Sequence, residues 1–124
     1  MTADDQLARV RHCCALFPET SERLSHGEPT FFAGKKVFVI FANNHHQDGR
    51  IAVWLPVPPG FQEDLIARAP DCFFRPPYVG ARGWVGIKLA QINDADLQLH
   101  IALAWELVAP ARLRAGRAST LRVE

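Results

Sequence analysis

The sequence lacks the signatures of several large protein classes. No apolar run approaches the ~20 residues that a membrane-spanning helix needs, and the N-terminus (Met1 to Asp5) is acidic. A secretory signal would instead begin with positive charge and continue with an apolar stretch. A phosphate-binding P-loop, a glycine-rich dinucleotide fingerprint and a helical HExxH motif are absent. We therefore expect a cytoplasmic protein with no targeting segment, no membrane span and no cofactor.

Cysteine is scarce, and its arrangement is uninformative for metal binding or redox chemistry. The chain has three cysteines, Cys13, Cys14 and Cys72, and no CxxC pair. An odd number argues against a disulfide framework, and the missing CxxC leaves a zinc ribbon without support. We expect reduced, buried thiols.

What is present is the composition of one folded domain. The chain has 124 residues, of which 48% are hydrophobic and 22% charged. The net charge is +1, but residues 111–124 hold four arginines and one glutamate, a balance of +3, so residues 1–110 carry −2. We expect a single domain over residues 1–110 and a basic, loosely ordered tail over 111–124. With an acidic body, affinity for nucleic acid would depend on a local patch or on the tail.

Hydrophobic periodicity predicts an α+β domain with element order α-β-β-β-α-β-β-α. Residues 19–28 are polar and are expected to form a connection. Three consecutive strands with tight turns favour antiparallel pairing, so we expect a two-layer domain with a five-stranded antiparallel sheet. The predicted helices cover residues 3–17, 61–69 and 93–109, and the predicted strands cover residues 30–33, 36–41, 50–55, 72–75 and 84–89.

The two terminal helices are predicted to cover the sheet. Apolar residues at three- and four-residue spacing form a stripe on each helix, and the second strand is apolar on both faces, as a central strand would be. The stripe of the first helix is Leu7, Val10, Cys14 and Phe17. The stripe of the last helix is Leu97, Ile101, Trp105 and Val108, widened by Leu103 and Leu107.

Several motifs occur in an order that resembles one known family. They are Leu24-Ser25-His26-Gly27-Glu28-Pro29-Thr30-Phe31, Gly34-Lys35-Lys36-Val37-Phe38, the loop 43–49, Pro58-Pro59-Gly60, Phe73-Phe74-Arg75-Pro76-Pro77-Tyr78-Val79-Gly80, Arg82-Gly83-Trp84-Val85-Gly86 and Trp105-Glu106-Leu107-Val108-Ala109-Pro110. Together, over about residues 7–113, the chain resembles the MmcQ/YjbR family. The resemblance implies a fold related to CyaY-like and secretion-chaperone-like domains, and DNA binding through two β-hairpin wings. It carries over no catalytic signature.

The leading interpretation is a small non-enzymatic domain that binds DNA. Cations at the first hairpin tip and beside other strands would contact phosphates, and Tyr78 or Trp84 would stack on bases. Solvated strand edges protected by charge would produce the same pattern. The predicted nucleic-acid-binding residues are Lys35, Lys36, Arg50, Arg75 and Arg82.

The first alternative is a small-molecule or metal pocket, with acid–base chemistry open to it. Histidines and carboxylates in two loops could converge there, although His45-His46-x-Asp48 matches no standard ligand spacing and no activated nucleophile is present. We therefore predict neither a catalytic residue nor a metal ligand set. The predicted pocket residues are His26, Glu28, His45, His46, Trp54, Tyr78 and Trp84. A second alternative is a protein-interaction or chaperone-like module, which an exposed apolar patch would favour.

Overall fold

The computed structural model describes residues 1–115; residues 116–124, most of the predicted tail, lie outside the described part. Within it, the chain forms three α-helices of eight or more residues, six strands, a helical turn at residues 111–115 and short 3₁₀ turns at residues 45–47, 79–82 and 89–91. The elements are α1 (Ala3–Ala15), β1 (Thr20–Ser25), β2 (Glu28–Ala33), β3 (Lys36–Asn43), β4 (Ile51–Leu55), α2 (Phe61–Arg68), β5 (Phe73–Phe74), β6 (Val85–Lys88) and α3 (Asp94–Val108). The predicted α+β class is confirmed.

The strands form one antiparallel sheet with the order β1-β2-β3-β4-β6-β5. The apolar strand β3 is central, as predicted, and the β2–β3 hairpin turns at Gly34, whose φ of 63° lies in the left-handed region that glycine tolerates. β6 pairs with β4, although α2 and β5 lie between them in the sequence. The loop at residues 75–84, which joins β5 to β6, therefore lies beside the sheet.

The predicted count of five strands is wrong, because residues 20–25 form the additional strand β1. They pair in full register with β2, from Thr20 opposite Ala33 to Ser25 opposite Glu28. β1 lies at the sheet edge, and its four central residues are exposed. An exposed edge strand needs no apolar alternation, so the polar residues 20–25 give no strand signal in the sequence.

One face of the sheet is sealed by α1 and α3, and this is where the main core lies. Leu97, Ile101 and Trp105 are fully buried, and the Trp105 ring stacks on Phe17 at a centroid distance of 5.6 Å. The prediction that α1 and α3 cover the sheet is confirmed. The three cysteines are free and buried, and burial raises the pKa of the Cys14 thiol well above its ordinary value.

The predicted widening of the α3 stripe is wrong. Leu103 and Leu107 are 40% and 46% exposed, and it is Ala104 that is buried beside Trp105. At 100° per residue, positions 97, 101, 104 and 105 share one side of the helix, whereas 103 and 107 point to the other.

A β-bulge separates the two halves of the β2–β3 pair. Phe31 pairs with Val39 and Phe32 with Val37, so Phe38 has no partner in β2. Phe38 and Val39 are both completely buried in the core beneath the helices. The bulge therefore lets two consecutive residues reach the same apolar layer.

The second face of the sheet carries a smaller apolar cluster, which is covered by loops. It consists of Ala42, Ala52, Trp54, Phe74 and Trp84, all buried, with Val79 packed against it. Phe73 and Phe74 are thus core residues, one on each face.

The described ends of the chain are fixed locally. Thr2 and Asp5 form a reciprocal capping box at the start of α1. After Pro110, residues 111–115 form a helical turn, and Arg112 pairs with Glu19 at 2.7 Å. No helix within residues 1–115 combines the length and the apolar character needed to span a bilayer.

Candidate functional site

The loop between β3 and β4 has an unusual backbone. Asn44, His46 and Gln47 all have positive φ, at 55°, 48° and 59°, a conformation that costs a non-glycine residue free energy. Hydrogen bonds hold the loop closed: the Gly49 N–H donates to Asn44 Oδ1 at 2.8 Å, and the Asn44 N–H donates to the Arg50 carbonyl at 2.7 Å. The loop thereby presents His45 and His46 in a fixed geometry.

His45 lies at the centre of a group that we name the histidine cluster, made of Glu28, His45, His46, Trp54 and Tyr78. His45 Nδ1 is 3.4 Å from Glu28 Oε1, and both side chains are 17% exposed. The His45 ring stacks on His46 at 4.1 Å and meets Trp54 and Tyr78 edge-on at 4.9 and 5.9 Å. A carboxylate beside one imidazole nitrogen orients the ring and sets its tautomer.

Two polar atoms in the histidine cluster are buried without a hydrogen-bond partner, His45 Nε2 and Trp54 Nε1. Buried polar groups are normally paired, so such atoms call for an explanation such as a bound molecule. Tyr78, by contrast, is 68% exposed and has a positive φ of 61°. Strained backbone in both contributing loops is a feature that concentrates at functional sites.

The structure brings five of the seven predicted pocket residues together and leaves two outside. His26 is exposed in the β1–β2 turn, and none of the ring contacts described for residues 1–115 involves it. Trp84 is buried farther along the same sheet face, where the Arg82 guanidinium lies 5.4 Å from its ring. Within residues 1–115, no three His, Cys, Asp or Glu side chains meet as metal ligands, so the metal interpretation gains no support.

A second surface, the basic end, gathers cations around the β2–β3 hairpin tip. We define it as Lys35, Lys36, Arg82, Arg112 and Arg114. A groove of about 650 Å³ runs between the hairpin and the C-terminal end of α3, and all but Arg82 line it. An adjoining groove of about 590 Å³ is lined by Lys36, Arg82 and Trp84.

The predicted cations do not form one group. Lys36 begins β3, whereas Arg50 lies beside Asn44 just past the other end of that strand, so the two belong to opposite ends of the sheet. Arg50 packs over the Phe74 ring at 4.1 Å and lies 3.9 Å from Asp48. Arg75 packs against the backbone of Gly80.

Sequence reasoning missed three contributors to these surfaces. Arg112 and Arg114 line the basic groove, although their position predicts that they belong to a loose tail. Arg112 pairs with Glu19, and this pairing lowers the pKa of the Glu19 carboxyl. Gln62 is buried and donates to the carbonyls of Gly80 and Trp84 at 2.9 and 2.5 Å, which fixes the loop that carries Tyr78 and Arg82. The only sequence signal for the burial of Gln62 was its position in the first turn of a short helix, where a side chain can face inward.

These features define a small α+β domain with one helix-covered and one loop-covered sheet face. The YjbR family model matches residues 15–107, so the chain belongs to the YjbR family. Deinococcus radiodurans protein DR2400, described as a DUF419 domain, has a crystal structure with a similar fold. Its TM-score is 0.71 at 17% identity, and the match covers 89% of this chain and 86% of that one. A comparison with curated proteins finds no match.

Proposed function

We propose that this YjbR domain binds nucleic acid, and duplex DNA in particular, through its basic end. The observation that supports the proposal is the meeting of Lys35, Lys36, Arg112 and Arg114 around one groove. Glu19 is the single carboxylate among the described residues that line it, and Arg112 is within 2.7 Å of that carboxylate. Affinity for a phosphate backbone depends on such local cations more than on net charge.

The adjoining groove extends the cationic surface toward the loop that covers the sheet. Lys36 lines both grooves, and Arg82 lines the second. Tyr78 lies in the same loop, but its ring contacts His45 and His46 at the opposite end of the sheet, apart from these cations. Phosphate contacts would thus come from the cations of the basic end alone.

The test is a titration of a fluorescently labelled DNA duplex, followed by anisotropy at several salt concentrations. The Lys35→Ala/Lys36→Ala variant is expected to bind more weakly, and the slope of log affinity against log salt should fall by roughly 2, because each lysine releases about one counterion. The matched control is Arg68→Ala, which removes an exposed arginine at the C-terminal end of α2.

Absence of binding at low salt would contradict the proposal. An unchanged affinity and salt slope in the double lysine variant would contradict it equally, because the contacts would then lie elsewhere.

A second candidate function is supported by the unpartnered atoms of the histidine cluster. His45 Nε2 and Trp54 Nε1 together could pair with a small polar molecule, and the rings of His46 and Tyr78 could pack against a flat one. A planar heterocycle with hydrogen-bonding groups fits this chemistry, and adenosine monophosphate is a suitable probe.

Calorimetric titration of this probe separates the second candidate from the first. His45→Gln should abolish the heat of binding, whereas His26→Gln, which changes the exposed histidine outside the cluster, should leave it intact. Equal losses in the two variants, or no heat with the unmodified protein, would rule out a ligand of this kind in the cluster.

A further inference from the structure

We propose that the outer face of α3 is a self-association surface, on which a second copy of the chain packs its own α3 in antiparallel orientation. Leu99, Leu103 and Leu107 are 55%, 40% and 46% exposed. Exposed leucines occur singly on most surfaces, but three in a row on one helix form a contiguous apolar strip.

The helical spacing places this strip opposite the core. Leu99, Leu103 and Leu107 are four residues apart, so successive members lie one turn above each other on the same side of α3. The buried residues Leu97, Ile101 and Trp105 occupy the other side. α3 is therefore apolar on both sides, a pattern expected of a helix that has a partner on each of them.

The charges at the two ends of the leucine strip favour a second copy in antiparallel orientation. Asp96 lies three residues before Leu99, in line with the strip, and it is exposed at the acidic N-terminal end of α3. At the other end, Leu107 lines the groove that contains Lys35, Lys36 and Arg114. An antiparallel second copy would bring Asp96 of each chain toward the cations of the other, whereas parallel pairing would juxtapose like charges.

The size of the contact predicts a weak, reversible dimer. The 15 residues of α3 span about 22 Å, so a helix pair buries an area at or below the roughly 1,200 Å² that marks the low end of stable interfaces. We therefore expect association that depends on protein concentration. This proposal does not rest on nucleic-acid binding, and either can fail without the other.

Sedimentation velocity of the full chain over a range of concentrations tests the proposal. The unmodified protein should shift from monomer toward dimer as concentration rises, and Leu103→Glu should weaken the dimer at least about tenfold, because it removes a buried leucine and adds a charge. The matched control is Leu24→Glu, which changes an equally apolar residue that is 72% exposed on the edge strand β1 and should dimerise normally.

Engineered cysteines test the orientation. In an antiparallel pair Leu103→Cys lies near the twofold axis, so oxidation should give a disulfide-linked dimer. Ala95→Cys lies about 12 Å farther along each helix, so its two copies should remain apart. The unmodified chain, whose cysteines are buried, is the background control.

Several results would overturn the proposal. These are a monomer at every concentration, an equal loss of dimer in Leu24→Glu, or cross-linking of Ala95→Cys as efficient as that of Leu103→Cys. A monomeric Leu103→Glu protein that unfolds much more readily than the unmodified monomer would also overturn it, because the strip would then be covered within the chain.

Discussion

The ring of Phe74 lies directly against the backbone of Gly86, its partner residue across the β5–β6 pair. A Cβ atom at position 86 would overlap three carbons of the ring. The φ of Gly86 is one that other residues adopt, so backbone conformation does not require glycine here. The close approach of the Phe74 ring to the strand does require it. The contact packs the Phe74 side chain of the short edge strand β5 into the apolar cluster on the loop-covered face.

Replacing Gly86 with alanine should destabilise the domain by about 1–3 kcal/mol through overpacking. Urea denaturation would measure the change. The control adds Phe74→Leu, alone and combined with Gly86→Ala. In the double variant the added methyl group no longer meets a ring, so the costs of the two single variants should sum to more than the cost of the double variant. Strict additivity would show that the Phe74 ring is not what excludes a side chain at position 86.

The buried amide of Gln62 should be important for both stability and the order of the loop that carries Tyr78. Gln62→Leu removes the side-chain donor to the Trp84 carbonyl and one of two donors to the Gly80 carbonyl, which keeps the Gly83 N–H at 3.1 Å. The expected cost is about 1–3 kcal/mol for a buried acceptor that water does not reach. Amide hydrogen exchange at residues 79–84 should also accelerate. Gln98→Leu, a change at an exposed glutamine of α3, should alter neither measurement.

The general layout of the fold was predictable because most elements have a clear apolar period and a clear stop. β3 is apolar throughout, α3 begins at the cap Asn93, and Pro110 follows its last turn. Strand β1 was missed because its stability comes from backbone pairing with β2, and its outward side chains carry no pattern. Leu103 and Leu107 were misassigned because apolar content suggested burial where the helical angle excluded it.

The candidate sites were predictable only in part. The sequence identified Glu28, His45 and Tyr78 as candidates, but their meeting depends on the β2–β3–β4 register and on two strained loops, which no local pattern specifies. Which cations lie together was not predictable for the same reason. Arg50 and Lys36 both flank strands but belong to opposite ends of the sheet, and Arg114 lines the basic groove from beyond the last helix.

Two leucines of α3 provide a test of the distinction between its faces. Leu97→Ala should cost about 2–5 kcal/mol, because Leu97 is fully buried and its removal leaves a cavity. Leu99→Ala, two residues away and on the outer face, should cost less than about 1 kcal/mol in dilute solution, where the chain is monomeric. Chemical denaturation at one protein concentration measures both; similar costs would show that the exposed strip is covered.

His100 should make stability depend on pH near neutrality. Burial lowers the pKa of His100 below its ordinary value of 6.5, opposed by the nearby charge of Asp96. As pH falls through that ordinary value, the unfolded chain takes up a proton that the folded chain does not. The free energy of unfolding should therefore decrease until the folded-state pKa is reached.

Denaturation at about pH 7.5 and about pH 5 compares the unmodified protein with His100→Gln, which cannot titrate. The variant should lose less stability over this interval. His12→Gln, a change at an exposed histidine in the last turn of α1, is the control. An equal loss in all three proteins would mean that His100 is as readily protonated in the folded chain as in the unfolded one.

The unpaired Phe38 also determines where Lys36 points. In a regular strand Lys36 would share a face with Ile40, two alternations away, and would project with it over the loop-covered side. The extra residue reverses that parity, so Lys36 pairs with Ala33 and lines the groove beside Leu107. Deleting Phe38 would thus turn the side chains of the hairpin tip to the opposite face of the sheet and carry Lys36 away from Arg114. The position of the positive charge is inherited from a packing irregularity two residues away.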